Sequence, residues 1–427
     1  VASPTVLILG TGYVGLTCAG CFGHLGHTVI GFDIDSGKIA SLIDGQMPIY
    51  EPGLDELITT AQANGNLSFT TDVEAVGTAD IVFLCLPTPP LPSGTPDLSI
   101  LKTVVLDHRE RFKSGAILVT KSTVPLGTSS ELVSWLDRPD VFPVSNPEFL
   151  REGVAVNDFL HPDRVVVGAA NAEVARQVLA LYDSIQTEVI SCDPLSAEMI
   201  KYAANAFLAT KLSFVNELAR ICDEVGADVD AVVTGLGTDH RISSAFLSPG
   251  PGWGGSCFPK DVAGLAALAR SSRLRVPVIE SAGESNRDHF DHVLNRIRTM
   301  VDKPLAQSTV AFWGLAFKAG TDDTRSSPAV ELIERLDALG CKVQAHDPVA
   351  TVSAATVKQD GIYRVCEGAD LLVIATEWPE FAAADFAQVA RALKGTTVFD
   401  LRSVVPPAAV TDAGLRLELL GRSPIEH

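Results

Sequence analysis

Thr5-Val6-Leu7-Ile8-Leu9-Gly10-Thr11-Gly12-Tyr13-Val14-Gly15 is the stretch that decides the fold, a short β-branched and apolar run that breaks into three glycines. The run has the length and composition of a buried strand, and the small-residue segment after it, to about His24, reads as a helix. Thr28–Asp33 is a second apolar run, so the chain opens with a βαβ unit. Further runs at Ile81–Leu86, Ala116–Thr120 and Val165–Gly168 extend this into a doubly wound parallel sheet.

Three glycines spaced Gly-x-Gly-x-x-Gly carry little meaning alone, but between a strand and a helix they describe a dinucleotide site. Gly10 permits the tight turn, Gly12 lets a pyrophosphate approach the backbone, and Gly15 lets helix and strand pack closely. Tyr13 and Val14 complete the loop, whose helix N-terminus offers free N–H groups to the phosphates. Asp33 closes the second strand 18 residues after Gly15. A carboxylate there accepts ribose hydroxyls and repels a 2′-phosphate, which selects NAD over NADP. Lys38 lies close enough to join the cofactor contacts and to weaken that selection. The plain competing reading makes Asp33 a turn residue.

The pattern changes at Ser196. Met199, Ala203, Phe207, Leu212, Val215, Leu218, Ile221 and Cys222 recur at helical spacing to about Gly226 without Pro or Gly. A helix of this length suggests a spine between domains or a subunit interface, and a homodimer through it is the expected assembly. Helical stretches follow at Val262–Arg270 and Val278–Val301 around a Gly/Pro/Ser-rich loop at 248–256. A second α/β pattern begins near Ser308, with strands at Thr309–Trp313, Lys342–His346, Leu371–Ala375 and Thr397–Asp400, and a helix at Ala329–Leu339. The expected architecture is α/β: two Rossmann-like doubly wound domains, 1–195 and 303–427, joined by a helical domain at 196–302.

The 427 residues are 46% hydrophobic and 20% charged, which fits packed globular domains. A net charge of −19 leaves no broad basic surface for nucleic acid or anionic membrane. An anionic substrate would need a local cluster of Arg, Lys and backbone N–H groups. Val6–Leu9 lacks a basic segment before it, so it does not read as a signal peptide. Nothing approaches the roughly 18 apolar residues of a membrane span, so the expected location is cytoplasmic.

Eight scattered cysteines read as free thiols. Cys18, Cys21, His24 and His27 stand at metal-like intervals, but such steps drift around a helix, and small apolar packing accounts better for the two thiols. No metal is expected.

The chemically informative segment is Gly254-Gly255-Ser256-Cys257-Phe258-Pro259-Lys260-Asp261. Pro259 suits the first turn of a helix. Cys257 then sits at or just before a helix N-terminus, where the macrodipole favours thiolate, and the glycines leave room for a substrate at its sulfur. A buried turn cysteine is the bland alternative.

These residues resemble the UDP-glucose dehydrogenase family, within the wider UDP-sugar and GDP-mannose dehydrogenases. The resemblance runs nearly end to end, through GTGYVG (10–15), PTPP (87–90), KSTVPLGT (121–128), SNPEFLREG (145–153), PDRVVVG (162–168), KYAANAFLATKLSFVNE (201–217), GGSCFPKD (254–261), WGLAFKAGTDDTRSSP (313–328) and FDLR (399–402). It implies oxidation of a primary alcohol to an acid by two hydride transfers to NAD, through a thiohemiacetal and a thioester on Cys257. A cysteine suits that task because it traps an aldehyde and leaves on hydrolysis.

By the same resemblance Lys201 and Asn205, i and i+4 on the long helix, stabilise the alkoxide and later oxyanions. Glu152 and Asp261 orient or activate the hydrolytic water with Thr123 in support, and Glu148 matches a further carboxylate of the substrate site. Thr88, Thr123 and Glu152 match positions at the cofactor, and Arg325 matches a cofactor contact. Phe149, Leu150, Arg151, Lys201, Asn205, Phe246, Leu247 and Gly254 match substrate contacts, as do Phe317, Lys318 and Arg402 of the last domain. Arg241 resembles a residue that reaches the sugar nucleotide of a neighbouring subunit. The stretch Ser248–Trp253 departs from the family in its extra prolines and its Trp253, and Phe399–Arg402 lacks the glycine often found after the aspartate.

UDP-glucose fits the motifs best; dTDP-glucose, a UDP-N-acetylhexosamine and GDP-mannose are alternative substrates. More distant are the β-hydroxyacid and 6-phosphogluconate dehydrogenases, which share the dinucleotide domain, a long helix and a Lys/Asn pair. They transfer one hydride and need no thiol, so Cys257 discriminates.

Overall fold

Val6–Leu9 are buried on both faces, as a central parallel strand requires, and they anchor the first of two sheets in a computed structural model that describes residues 3–352 and 357–425. The chain divides into two compact units, one of residues 1–204 with 267–274 and the other of 205–266 with 275–427. The long helix, Pro194–Val225, contributes to both.

In the first unit β1 (Thr5–Leu9), β2 (Thr28–Phe32), β3 (Leu67–Thr70), β4 (Ile81–Leu84), β5 (Ile117–Thr120), β6 (Phe142–Ser145), β7 (Arg164–Ala169) and β8 (Glu188–Cys192) form one sheet. Its order is β3-β2-β1-β4-β5-β6-β7-β8. The order reverses between β1 and β4, so the loops after those strands open the crevice where such folds take ligands. One expectation is corrected. Val165–Gly168 does not continue the parallel run, because β7 pairs antiparallel with β6 through Val144↔Ala169 and Ser145↔Gly168. The connection carries only the six-residue helix Ala155–Leu160. At about 1.5 Å per residue that helix spans about 9 Å, less than a strand-length crossover needs.

The second unit holds β9 (Thr309–Trp313), β10 (Lys342–His346), β11 (Val357–Gln359), β12 (Leu371–Ile374), β13 (Thr397–Asp400) and β14 (Arg416–Leu419), in the order β11-β10-β9-β12-β13-β14. All its pairs are parallel. Gly314 after β9 has φ +99° and donates its N–H to His346 O at 2.7 Å, while Leu315 N–H donates to Asp347 Oδ2 at 2.7 Å. Gly10 after β1 does the same, with φ +96°, its N–H on Phe32 O at 2.9 Å and Thr11 N–H on Asp33 Oδ2 at 3.0 Å. The two units repeat one local device. Around it this unit adds the helices Phe258–Ser271 and Pro277–Met300, the first reaching also into the other unit.

Among the described residues no helix is long and apolar enough to cross a membrane. Cys18 and Cys21 are buried in the apolar core beneath β1, which is the packing role expected of them.

Candidate active site

In the first unit the glycine loop explains itself by what a side chain would meet. A Cβ on Gly10 would press on the Cys85 carbonyl, and one on Gly15 would collide with the Gly10 carbonyl oxygen. A Cβ on Gly12 would meet nothing within 4 Å. Gly12 is exposed and caps the helix Tyr13–His24 with no side-chain bond. The backbone at Gly12 is therefore open to approach among the described residues, and the first-turn N–H groups of the helix are available to an anion such as phosphate.

Asp33 Oδ2 accepts from Thr11 N at 3.0 Å, Thr11 Oγ1 at 2.8 Å and Lys38 Nζ at 2.9 Å. Partial burial pushes its carboxyl up, but these bonds outweigh that and bring it to about 2. It is therefore a fixed anion. Among the described residues Oδ1 accepts from Asp35 N alone, at 3.1 Å, and keeps capacity for a further donor. Tyr13 reaches away from the loop: its hydroxyl donates to Glu51 and accepts from Gly153 N at 2.9 Å. Val14 packs half-buried on the core. Thr88 Oγ1 donates to Thr123 O at 2.8 Å and ties together the loops after β4 and β5, at the crevice the topology defines.

The turn after β6 carries Glu148 to Glu152. Glu148 is buried, with Oε1 2.7 Å from Lys201 Nζ and Oε2 accepting from Leu150 N at 2.7 Å. Burial alone would raise the Glu148 carboxyl; the charge and hydrogen bond of Lys201, with Leu150 N–H and the Lys121 charge, bring it below its ordinary value. The Phe149 ring lies under the Arg164 guanidinium at 3.9 Å and the Lys201 ammonium at 5.5 Å. Arg151 is exposed and ion-paired to Asp158 at 2.6 Å. Glu152 is half-buried, close enough for its charge to push up the Tyr13 phenol, behind the larger effects of burial and Glu51.

Two buried groups here escaped sequence reading. Lys121 Nζ donates to Asn146 Oδ1 at 3.0 Å, and Tyr182 OH donates to the same oxygen at 2.8 Å. Glu198 accepts from Gly127 N and Ser129 N at 2.6 and 2.9 Å, capping the helix Thr128–Leu136. Lys121, Asn146 and Glu198 sit in or beside quoted motifs, but nothing in one sequence separates a buried polar residue from a solvated one.

In the second unit Cys257 directly precedes the helix Phe258–Ser271, and its carbonyl accepts from Asp261 N at 2.9 Å, the first bond of that helix. The thiol is half-buried, with Ser256 Oγ 3.6 Å from its Sγ. Asp261, one turn on, is fully buried and accepts from Asn205 Nδ2 at 2.5 Å, with Lys260 Nζ at 3.9 Å. The loop before the cysteine is tightly framed. A Cβ on Gly254 would collide with the Ser326 carbonyl oxygen, and one on Gly255 would lie 2.9 Å from the Phe317 ring.

Phe317 is itself placed by two backbone bonds, its N–H to Asp323 O at 3.1 Å and its O from Arg402 Nη2 at 2.9 Å. Arg402 also pairs with Glu377 at 3.1 Å, and Lys318 Nζ lies 5.7 Å from the Phe317 ring. Leu247 is buried, and Phe246 adopts φ +59° with its ring 6.4 Å from that of Phe258. Arg325 and Arg241 are exposed and held by near neighbours, Asp323 at 2.7 Å and Asp239 at 2.6 Å. In chemical terms this unit offers a thiol at a helix head, a buried carboxylate bonded to an amide, and a guanidinium and an ammonium beside an aromatic ring.

Comparison with known proteins agrees along the chain. Residues 4–186 match the UDP-glucose/GDP-mannose dehydrogenase family, NAD binding domain; residues 195–288 match its central domain and residues 311–407 its UDP binding domain. The chain is 38% identical to the UDP-glucose 6-dehydrogenase TuaD of Bacillus subtilis over 98% of this chain and 93% of that one. It is also 38% identical to the UDP-glucose 6-dehydrogenase of Rhizobium meliloti, over 98% and 99%. Among solved structures, a UDP-glucose dehydrogenase from Pyrobaculum islandicum superposes with a TM-score of 0.87 at 34% identity, covering 94% of this chain and 95% of that chain. A UDP-D-ManNAc dehydrogenase from Pyrococcus horikoshii gives 0.87 at 27%, covering 98% and 99%.

Proposed function

The chain belongs to the UDP-glucose/GDP-mannose dehydrogenase family, and on that premise we propose that it oxidises the primary alcohol of UDP-glucose to UDP-glucuronate, with two NAD consumed per sugar. The observation that carries the reading is Cys257 at the head of the helix Phe258–Ser271, in a glycine loop, with the buried Asp261 one turn away. A single-hydride dehydrogenase has no use for a thiol there.

NAD, held by Gly10, Gly12, Tyr13, Val14, Gly15 and Asp33 with Thr88, Thr123, Glu152 and Arg325, supplies the hydride acceptor for each oxidation. Lys201 and Asn205 steady the oxygen that gains charge as the alcohol loses its proton. Asn205 has a second amide hydrogen beyond the one given to Asp261. Cys257 Sγ adds to the aldehyde carbon, keeps the substrate attached as a thiohemiacetal, and becomes a thioester when that carbon is oxidised again. Asp261 and Glu152, with Thr123, direct the water that releases the acid and returns the thiol. Glu148 holds Lys201 in place. Phe149, Leu150, Arg151, Phe246, Leu247, Gly254, Phe317, Lys318 and Arg402 hold the sugar nucleotide, and Arg241 reaches that of a partner subunit.

The work divides among 1–195 for the cofactor, 196–302 for the cysteine and the spine helix, and 303–427 for the nucleotide. The protein acts as a homodimer in the cytoplasm, joined through the exposed face of the helix Pro194–Val225, where Phe207, Phe214 and Ile221 stand out from the surface. A panel of UDP-glucose, dTDP-glucose, UDP-N-acetylhexosamines and GDP-mannose with NAD tests the substrate. Two NADH per UDP-glucose support the reading, and Cys257→Ala should retain sugar-nucleotide binding while losing acid formation. One NADH with a free aldehyde or ketone as the end product would overturn it.

A further inference from the structure

The loop 248–256, so rich in proline and glycine, has no secondary structure of its own, yet four of its backbone groups are held by buried side chains. Asn286 on the helix Pro277–Met300 grips Trp253 from both sides: Trp253 N–H donates to Asn286 Oδ1 at 3.0 Å, and Asn286 Nδ2 donates to Trp253 O at 2.9 Å. Gly250 N–H donates to Asn216 Oδ1 at 2.9 Å, and Gly250 O meets His289 Nε2 at 2.7 Å. The Trp253 indole N–H donates to Ser213 Oγ at 2.8 Å, and Ser213 in turn donates to Ala282 O at 2.7 Å. Asn286, Asn216, His289 and Ser213 are all buried.

Polar side chains are costly to bury, and these are spent on a loop rather than on a helix or sheet. Glycine is obligatory at the centre of the grip. Gly252 has φ +125°, and a Cβ there would lie 2.6 Å from the Phe290 ring and 3.0 Å from Asn286 Oδ1. An amide that satisfies both groups of one residue acts as a single-residue strand partner and fixes the direction in which the chain leaves Trp253. Four residues later that chain presents Cys257.

We propose that Asn286 is a positioning residue which, by clamping Trp253, aims the Cys257 sulfur so that the aldehyde is captured before it escapes. The inference rests on the reading of Cys257 as the covalent carrier. In the first oxidation the alcohol carbon gives a hydride to NAD and its oxygen a proton to solvent. The sulfur must then form the C–S bond as the carbonyl π bond opens, the thiol giving up its proton and the carbonyl oxygen taking one up. A misaimed sulfur leaves the aldehyde free to hydrate and leave with one NADH made. Errors of about 1 Å in such an approach cost up to about 100-fold in rate.

The test compares wild type with Asn286→Ala and Ser213→Ala by NADH per UDP-glucose, aldehyde trapped with hydroxylamine, kcat, KM for NAD, and the rate of Cys257 alkylation by iodoacetamide. The expectation for Asn286→Ala is acid formation slowed by about 10- to 100-fold, NADH yield falling below two, trapped aldehyde, altered alkylation, and KM for NAD within about twofold. Ser213→Ala, which keeps both Asn286 bonds, should shift the same quantities less and serves if Asn286→Ala does not fold. A folded Asn286→Ala with full NADH yield, or a loss of melting temperature alone, overturns the proposal; so does a Ser213→Ala without effect when Asn286→Ala does not fold. A wild type that itself yields one NADH overturns the underlying reading instead.

Discussion

Lys38 Nζ lies 2.9 Å from Asp33 Oδ2, so the cation beside the carboxylate proposed to read the ribose is already paired with it. In the sequence Lys38 argued for tolerance of a 2′-phosphate; in the structure it is engaged by Asp33, whose carboxylate it keeps ionised. Asp33→Asn should release Lys38 toward a phosphate while removing the repulsion. The expected result is a shift of the NADP-to-NAD preference, in kcat/KM, by about tenfold or more, since one repelled charge is worth at least about 1.4 kcal/mol near a partly buried site. An unchanged preference would show that Asp33 serves only the turn at Thr11.

Glu148 and Lys201 give a stability prediction with a defined sign. The Glu148 carboxyl is held below its ordinary value, so the pair contributes fully above the usual glutamate range. That contribution is lost as pH falls through the lower folded value. Lys201→Met leaves a buried carboxylate without its main partner and should cost about 3–5 kcal/mol at neutral pH. In the variant Glu148 takes up a proton more easily, so the gap to wild type narrows toward pH 4. Urea midpoints at pH 7 and pH 4 measure this, and a gap that stays constant would deny Glu148 its charge.

What the sequence made legible is what is local. The strand and glycines of Thr5–Gly15, the helix Pro194–Val225 and the cysteine at the head of Phe258–Ser271 are each written in one short string. The partners of those residues are not. Lys201 and Asn205 share a helical spacing, yet the first pairs with Glu148, 53 positions away, and the second with Asp261, 56 away. No periodicity encodes such pairings, and charged or amide residues at i, i+4 look the same on a solvated face. The antiparallel turn of β7 escaped for a related reason: Val165–Gly168 has the apolar run of a parallel strand, and its direction is set by the short helix before it. Asn286, His289 and Asn216 carried no signal because their partners are backbone groups of a loop.

His289 predicts a distinct acid sensitivity. Burial drives its imidazole down to about 4, with the charges of His292 and Arg220 acting the same way and the Gly250 carbonyl and Asp223 opposing. Its Nδ1 is buried without a hydrogen-bond partner among the described residues, so a second proton has nowhere favourable to sit. The unfolded histidine takes that proton near pH 6.5. Stability is therefore complete above about 6.5 and falls as pH drops toward 4, by about 2 kcal/mol at pH 5. His289→Gln keeps a donor for Gly250 O and should flatten that part of the profile. Equal slopes for the two proteins between pH 7 and 5 would refute the assignment.

Phe207, Phe214 and Ile221 follow one another at seven-residue steps along the helix Pro194–Val225, each at least half exposed, with Met199 a further turn pair before them. Seven residues are nearly two helical turns, so these side chains share one stripe that drifts only about 20° per step. If the proposed homodimer forms through this stripe, a two-fold axis would bring the phenylalanines of the two copies together. Fully burying a phenylalanine is worth about 1.5–3 kcal/mol. With Phe207 65% and Phe214 50% exposed, each has about half of that left to gain. Phe207→Glu with Phe214→Glu therefore removes four such contributions from a dimer and sets four like charges in the interface. The double variant should be monomeric at micromolar concentration by light scattering, where wild type is expected to be dimeric. A variant that remains dimeric would place the subunit contact elsewhere.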